Sequence, residues 1–117
     1  MKYMLVFAET AEDLAKREGA EAAAYWAGWS AYVQAVNQAG IVVSGAGLMP
    51  PAMATTVRIR DGKRHVQDGP YSDAKEQLGG FYVIDVPDLD TALDWAAKCP
   101  AAAYASVEVR PVMHMGE

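Results

Sequence analysis

Apolar positions in the first third of the chain change from a short continuous run to a helical spacing. Residues 2–8 (KYMLVFA) are almost wholly apolar, which predicts a strand buried on both faces. A polar, alanine-rich stretch at 9–24 follows, and apolar side chains then recur every three or four residues until Gly40 ends the predicted helix. The stripe of this helix consists of Tyr25, Trp29, Tyr32 and Val36, widened by Trp26 and Val33. Such a stripe is typical of a helix packed on a sheet.

The middle of the chain carries a hairpin pattern. Residues 41–48 (IVVSGAGL) predict a second strand, and residues 55–60 alternate between apolar and polar side chains, as a half-exposed strand does. Asp61-Gly62 is a two-residue turn signal, so residues 63–67 are expected to return antiparallel. The expected cross-strand pairs are Val57 with Val66 and Arg58 with His65.

The last third of the chain repeats the strand–helix–strand order. Residues 81–86 (FYVIDV) are apolar in both phases, Asp88 is the expected N-cap of a second helix, and residues 106–112 alternate as a final strand. The side chains expected to face inward from this helix are Leu89, Ala92, Leu93 and Ala96. Before residue 81, Asp73 with Glu76 three residues later predicts a single capped helical turn.

This order of elements predicts the fold class. It is an α+β fold, a ferredoxin-like βαββαβ sandwich with an inserted β-hairpin, in a single domain over residues 1–117. Two helices cover only one face of the sheet, whereas the strands at 2–8 and 81–86 are apolar on both faces. We therefore expect a second copy to pack sheet against sheet, so that two chains form a dimeric α+β barrel.

Composition narrows the classes of function. The 117 residues include 10 cationic and 15 acidic side chains, a net charge of −5, which argues against general nucleic-acid binding. The one cysteine, Cys99, excludes an intrachain disulfide and a cysteine-based zinc site, and the two histidines are too isolated to predict a metal site. No cofactor motif occurs, so no cofactor is expected. The first apolar run is too short for a signal peptide or a membrane span, which favours the cytoplasm.

The charged loop at 68–80 is the main candidate for chemistry. Asp68, Lys75 and Glu76 lie between glycines and prolines, and a carboxylate beside a lysine in a cleft can act as an acid/base pair. The alternative is that Asp68 only makes the turn and that Lys75 and Glu76 are solvated. The candidate ligand contacts are Tyr71, Gln77, Tyr82, Glu108 and Arg58.

A basic cluster occupies the predicted hairpin. It consists of Arg58, Arg60, Lys63, Arg64 and His65. Such a cluster can receive an anionic ligand, the carboxylates of a partner subunit or a phosphate backbone. Its commonest meaning is a solvated strand edge that resists aggregation.

A set of motifs resembles the DGPF branch of the YCII-related family. In chain order they are Asp68-Gly69-Pro70-Tyr71, KEQLGG at 75–80, FYVIDV at 81–86, Trp95 with Cys99-Pro100, and VEVRP at 107–111. The resemblance implies a dimeric barrel of ferredoxin-like protomers with a cleft near the dimer interface. A His–Asp pair has been proposed as an active site in the wider family, but the first helix here has no histidine, so this pair cannot be carried over.

Two functional hypotheses follow. The first is a homodimer that binds a small organic molecule in this cleft, with acid/base catalysis by Asp68, Lys75 and Glu76 as a further step. The second is a non-catalytic regulatory or partner-binding module, which the resemblance links to sigma-factor-dependent transcription.

Overall fold

A computed structural model describes residues 1–70 and 72–114 of the chain. The predicted ligand contact Tyr71 therefore lies outside the described residues. The strands are β1 (Lys2–Thr10), β2 (Val42–Gly47), β3 (Thr55–Arg60), β4 (Lys63–Asp68), β5 (Glu76–Asp85) and β6 (Ser106–Pro111). The α-helices are α1 (Ala11–Ala15), α2 (Ala22–Gln38), α3 (Leu89–Ala97) and α4 (Pro100–Tyr104).

Four of these strands form one antiparallel sheet in the order β2-β5-β1-β6. Alternate residues of β1, from Tyr3 through Leu5 to Phe7, are buried beneath the helices and form the centre of the core. From α2, Tyr32 and Val36 pack into the same cluster. The helices and the antiparallel sheet confirm the predicted α+β class.

The opposite face of this sheet has less cover. The residues that alternate with the core positions of β1, such as Met4 and Val6, are only half-buried. Their neighbours Val83 on β5 and Arg110 on β6 lie on the same face, because Met4 pairs with both in register. One protomer therefore has an open sheet face that is partly apolar.

The predicted hairpin is confirmed in register and in turn chemistry. Val57 pairs with Val66 and Arg58 with His65, as the pattern indicates. Asp61 and Gly62 both have positive φ, of 53° and 73°, which the favoured two-residue hairpin turn requires. However, β3 and β4 form a two-stranded sheet of their own rather than joining the main sheet.

Two local predictions are wrong. Residues 73–75 are not helical, because Glu76 already begins β5 and pairs with Thr10 of β1. In α3, Ala92 and Ala96 are buried, but Leu89 and Leu93 are nearly half exposed. Small alanine side chains let the helix backbone lie close to the sheet, so the two leucines are left at its flanks.

Two short helices were not predicted. Helix α1 begins at a capping box in which Thr10 Oγ1 accepts from the Asp13 amide, while the Asp13 carboxylate accepts from the Thr10 amide. Helix α4 begins at Pro100, where proline suits the first turn of a helix. In residues 1–70 and 72–114, no helix has the length and apolar character needed to cross a membrane.

Candidate functional site

A buried carboxylate marks one end of the main sheet. Glu9 is only 1% exposed because it continues the inward phase of Tyr3, Leu5 and Phe7 along β1. The pairing of β1 with β5 is irregular at this point, and Gly79 faces the carboxylate. A Cβ at Gly79 would lie 3.0 Å from Glu9 Oε2, so glycine leaves the space that the carboxylate occupies.

Glu9 is held by hydrogen-bond donors from three elements of the chain. The Tyr25 hydroxyl lies 2.8 and 3.0 Å from its two oxygens, and the Tyr104 hydroxyl donates to Oε1 at 2.7 Å. Arg17 Nη2 lies 3.4 Å from Oε2 and supplies the opposite charge. Tyr104 in turn accepts from Trp29 Nε1 at 3.0 Å. These hydrogen bonds and the ion pair offset the free-energy cost of burying the Glu9 carboxylate.

Arg17 ties the segment after α1 to the sheet and to α2. Its Nε donates to the Tyr25 hydroxyl at 3.1 Å, and its Nη groups donate to the carbonyls of Leu48 and Gly79. The guanidinium also lies 5.7 Å from the Trp26 ring centre, within the range of a cation–π contact. Arg17 therefore holds the segment after α1 against the sheet and α2, next to Glu9.

An open cleft of about 1430 Å³ lies beside this network. Its lining is mainly apolar and comes from the sheet, from α1 and α2, and from residues 48–52, 70, 72–75 and 77. The aromatic lining residues are Phe7, Tyr25, Trp26, Trp29, Phe81 and Tyr82. The strand segment Gly45 to Gly47 has small side chains and leaves room on one side. A mainly apolar lining that includes aromatic side chains is typical of a site for a small organic molecule.

The tyrosines of the network keep their protons at neutral pH. Burial raises the pKa of Tyr25, and its hydrogen bond to Glu9 acts in the same direction, against the opposing effect of Arg17. Burial also raises the pKa of Tyr104, with a further contribution from Glu9. Both hydroxyls therefore act as neutral donors to the carboxylate.

Three of the predicted site residues line the cleft. Lys75 lies at its edge and is exposed, Gln77 is half-buried, and Tyr82 forms part of the aromatic wall. The Gln77 amide donates to the carbonyls of Ser72 and Ala74 at 2.7 Å, so it also shapes the loop. The predicted charged loop thus contributes one rim of the cleft.

The other predicted site residues that the structure describes lie away from its lining. Asp68 ends β4 opposite Thr55, and Glu76 accepts a hydrogen bond from the Ser106 hydroxyl. Arg58 donates to Gln67 across the hairpin, and Glu108 forms an exposed ion pair with Arg110 at 2.6 Å on the open sheet face. The structure therefore does not bring Asp68 and Glu76 into the cleft beside Lys75.

Glu9, Arg17 and Tyr104 are the network residues that the sequence pattern missed. The signal for Glu9 was its phase: it follows Tyr3, Leu5 and Phe7 at two-residue intervals, which predicts an inward-facing carboxylate. No pattern in the 9–24 stretch singles out Arg17. The residues of the helical stripe fall into two groups. Tyr32 and Val36 pack in the core, whereas Trp26 and Trp29 line the cleft.

The cysteine and the metal-ligating side chains add no further candidate site in the part of the chain that the structure describes. Cys99 is buried, and burial raises the pKa of its thiol to about 12, which keeps it protonated. Within the described part of the chain, no three His, Cys, Asp or Glu side chains are arranged to hold a metal ion.

Fold and site together define a small α+β protein with an antiparallel sheet, a cleft with aromatic side chains in its lining, and a buried glutamate hydrogen-bonded to one of them, Tyr25. The sequence model of the YCII-related domain matches residues 1–116, so the chain belongs to the YCII-related family.

The proteins similar to this chain include one sequence relative and one solved structure. An uncharacterised protein of Rhizobium meliloti (strain 1021) is 44% identical over 77 residues, which are 64% of this chain and 62% of that protein. The match thus spans less than two thirds of the length of this relative. The 5-chloro-2-hydroxyhydroquinone dehydrochlorinase of Burkholderia phenoliruptrix AC1100, solved with 2,5-dihydroxybenzoquinone, has a similar fold at 15% identity. The TM-score of this structural match is 0.58, and the match covers 98% of this chain and 96% of that one.

Proposed function

We propose that the protein binds a small, ring-containing organic molecule in the aromatic cleft and that Tyr25 and Glu9 exchange a proton with it. The observation that carries this proposal is the position of Tyr25. Tyr25 belongs to the cleft lining, and its hydroxyl donates to the buried Glu9 carboxylate. The proposed acid/base residues are therefore not Asp68 and Glu76, which the sequence had predicted. The third predicted residue, Lys75, remains part of the site.

The hydrogen bonds around Tyr25 define a route for the proton. A tyrosine oxygen has one proton to donate and two lone pairs to accept with. The proton of Tyr25 points to Glu9, and Arg17 Nε occupies one lone pair. The second lone pair can accept from a hydroxyl of the ligand. As that proton moves to the Tyr25 oxygen, the original Tyr25 proton moves to Glu9, and the ligand oxygen is left with the negative charge.

Two cations are placed to stabilise this charge. Arg17 is fixed beside Tyr25, and the exposed Lys75 also belongs to the cleft lining, which contains the carboxylates Glu12, Glu18 and Asp73 as well. A cation near a developing oxyanion stabilises the charged product more than the neutral reactant. The fold relative that was solved with a dihydroxybenzoquinone supports a ligand of this class.

Binding is tested by isothermal titration calorimetry with 2,5-dihydroxybenzoquinone as the probe. We expect saturable binding by the wild type and a loss of about tenfold in affinity in Tyr25→Phe, which removes one hydroxyl. Tyr3→Phe is the matched control, because Tyr3 is a buried tyrosine outside the cleft lining. No binding by the wild type at millimolar probe would refute the proposal.

Proton transfer is tested separately by ultraviolet absorbance of 4-nitrophenol, a ring-containing probe whose phenolate absorbs at longer wavelength than the phenol. We expect the bound probe to ionise at lower pH than the free probe, and Glu9→Gln to remove this difference. Saturable binding of the probe with unchanged ionisation would favour the second hypothesis, a non-catalytic binding module.

We further infer that the protein is a DGPF-branch member with ferredoxin-like protomers that form a cytoplasmic homodimer. The strand order β2-β5-β1-β6 with helices on one face supports the ferredoxin-like assignment. The half-buried apolar residues on the open sheet face, such as Met4 and Val6, support packing against a second copy. The family resemblance implies a cleft near the subunit interface, and Phe81, which pairs with Val6 of the open face, is a lining residue on that side.

A further inference from the structure

Each oxygen of the Glu9 carboxylate has a donor of its own in the described structure. The Tyr104 hydroxyl donates to Oε1 at 2.7 Å, and Arg17 Nη2 lies 3.4 Å from Oε2. The Tyr25 hydroxyl lies 2.8 and 3.0 Å from the two oxygens. Tyr104 and Arg17 therefore share the carboxylate with Tyr25, the residue proposed above to pass a proton to Glu9.

Trp29 fixes the direction of the Tyr104 hydrogen bond. The indole Nε1 of Trp29 can only donate, and it lies 3.0 Å from the Tyr104 hydroxyl oxygen. The Tyr104 oxygen therefore accepts from Trp29, and its single proton is left for Glu9 Oε1. In a chain of this kind each hydrogen bond polarises the next, so Trp29 makes Tyr104 a stronger donor to the carboxylate.

Tyr104 reaches the proposed chemistry only through its neighbours. Among the described residues, the cleft lining includes Tyr25 and Trp29 but not Tyr104. Tyr104 is the last residue of α4, and its hydroxyl connects Trp29 of α2 with Glu9 of β1. An influence of Tyr104 on a bound ligand must therefore be transmitted by Glu9 or by Trp29.

We propose that Tyr104, oriented by Trp29, is a positioning residue that limits how strongly Glu9 draws the proton from Tyr25. This rests on the proton exchange proposed above and adds a residue to it. A hydrogen bond to the charged form of a carboxylate favours that form, so the Tyr104 hydroxyl opposes transfer of a proton to Glu9. Removal of this hydroxyl should make the transfer more favourable, whereas general damage to the site would make it less so.

The other groups that face Glu9 keep their charge in this comparison. Arg17 stays positive at any accessible pH. Tyr25 keeps its proton, because burial raises its pKa. Burial, with a smaller contribution from the charge of Glu9, raises the pKa of the Cys99 thiol to about 12. At neutral and mildly acidic pH, Tyr104→Phe therefore removes one hydrogen bond to Glu9 and changes none of these charges.

The absorbance of bound 4-nitrophenol tests the role of Tyr104 in the full chain. At a pH where the free probe is protonated, we expect Tyr104→Phe to raise the ratio of bound phenolate to bound phenol at least threefold above the wild type. Tyr32→Phe is the matched control, because the Tyr32 hydroxyl is also outside the cleft lining but donates to the Trp95 carbonyl. The ratio in this control should equal that of the wild type.

The same measurement separates the two proposals. An equal or lower ratio in folded Tyr104→Phe, with the wild type still forming more phenolate than the free probe, would overturn the role of Tyr104 and leave the proton exchange standing. A wild type that forms no additional phenolate would overturn both.

The contribution of Trp29 is tested by a double variant, because Trp29 also lines the cleft. Trp29→Phe removes the indole N–H, and we expect a rise in the phenolate ratio that is smaller than the rise in Tyr104→Phe. In the Tyr104→Phe background, Trp29→Phe should cause no further rise. A rise of the same size in both backgrounds would overturn the orienting role of Trp29.

A measurement without ligand and without a Tyr104 variant covers the case in which Tyr104→Phe does not fold. Glu9→Gln removes the charge at the end of the chain of hydrogen bonds, so the proton resonance of the Trp29 indole N–H should move, with the Trp95 indole as the reference. The Trp29 resonance is assigned by its loss in Trp29→Phe. A Trp29 resonance that does not respond in folded Glu9→Gln would overturn the link from Trp29 through Tyr104 to Glu9.

Discussion

The Tyr104 hydroxyl donates a hydrogen bond of 2.7 Å to Glu9 although 95 residues separate the two in the chain. Tyr104 is the last residue of α4, and Glu9 lies near the end of β1. Since Tyr25 of α2 meets the same carboxylate, one buried charge connects the first strand, the long helix and the last helix. The position of the candidate site is therefore set by the packing of the core itself.

Removal of the buried carboxylate should destabilise the fold. Glu9→Ala leaves Arg17 and the two tyrosines facing a space without an acceptor, and we expect the free energy of unfolding to fall by about 3 kcal/mol. Urea denaturation followed by circular dichroism measures this. The control Glu108→Ala breaks the exposed pair with Arg110 and should cost at most about 1 kcal/mol.

The free energy of unfolding should fall as the pH becomes alkaline. Burial raises the pKa of Cys99 from 9.0 to about 12 and also raises the pKa of Tyr32, so both groups lose protons more readily in the unfolded chain. Their contribution to stability is complete below about pH 9 and declines as pH rises toward 12. Urea midpoints at pH 7, 8, 9, 10 and 11 should be flat up to 8 and then fall.

The matched variant for this pH effect is Cys99→Ala. It should remove the part of the decline that begins near pH 9 and leave the tyrosine part above pH 10. A pH profile identical to the wild type would show that the thiol does not contribute.

Gly45 should tolerate no side chain. A Cβ there would lie 2.3 Å from Tyr82 Cδ1, and Tyr82 packs edge-on against Phe7 at a centroid distance of 5.8 Å. Gly45→Ala should lower stability by about 1–3 kcal/mol through this overpacking and displace a cleft wall. Thermal unfolding measures it. Gly47→Ala is the control, because no atom lies within 4 Å of a Cβ at that position, and its cost should be clearly smaller.

Lys75 should matter for the ligand more than its loop neighbours do. Lys75→Met removes a cation from the cleft rim and should weaken binding of 2,5-dihydroxybenzoquinone about three- to tenfold by calorimetry. Glu76→Gln and Asp68→Asn alter side chains outside the lining and should change the affinity less than twofold. Equal losses of affinity in all three variants would support the sequence-based hypothesis that Asp68, Lys75 and Glu76 act together.

Local patterns were sufficient for most of the fold. The apolar run at 2–8, the helical spacing up to Gly40 and the turn at Asp61-Gly62 each depend on neighbours within a few residues. Backbone sterics and amphipathic burial act at that range, so the α+β class and the hairpin register follow from the sequence. Short helices such as α4 escaped prediction because five residues contain too little periodicity.

The site was decided at long range. Sequence spacing placed Asp68 and Glu76 next to Lys75, but strand pairing carries Asp68 to the hairpin and draws Glu76 to Ser106. Conversely, only the folded sheet brings Tyr25, Tyr104 and Arg17 to the carboxylate of Glu9. The hydrogen-bond partners of a buried charge are the donors that the packed elements bring within about 3 Å of it. Local periodicity does not show which donors these will be.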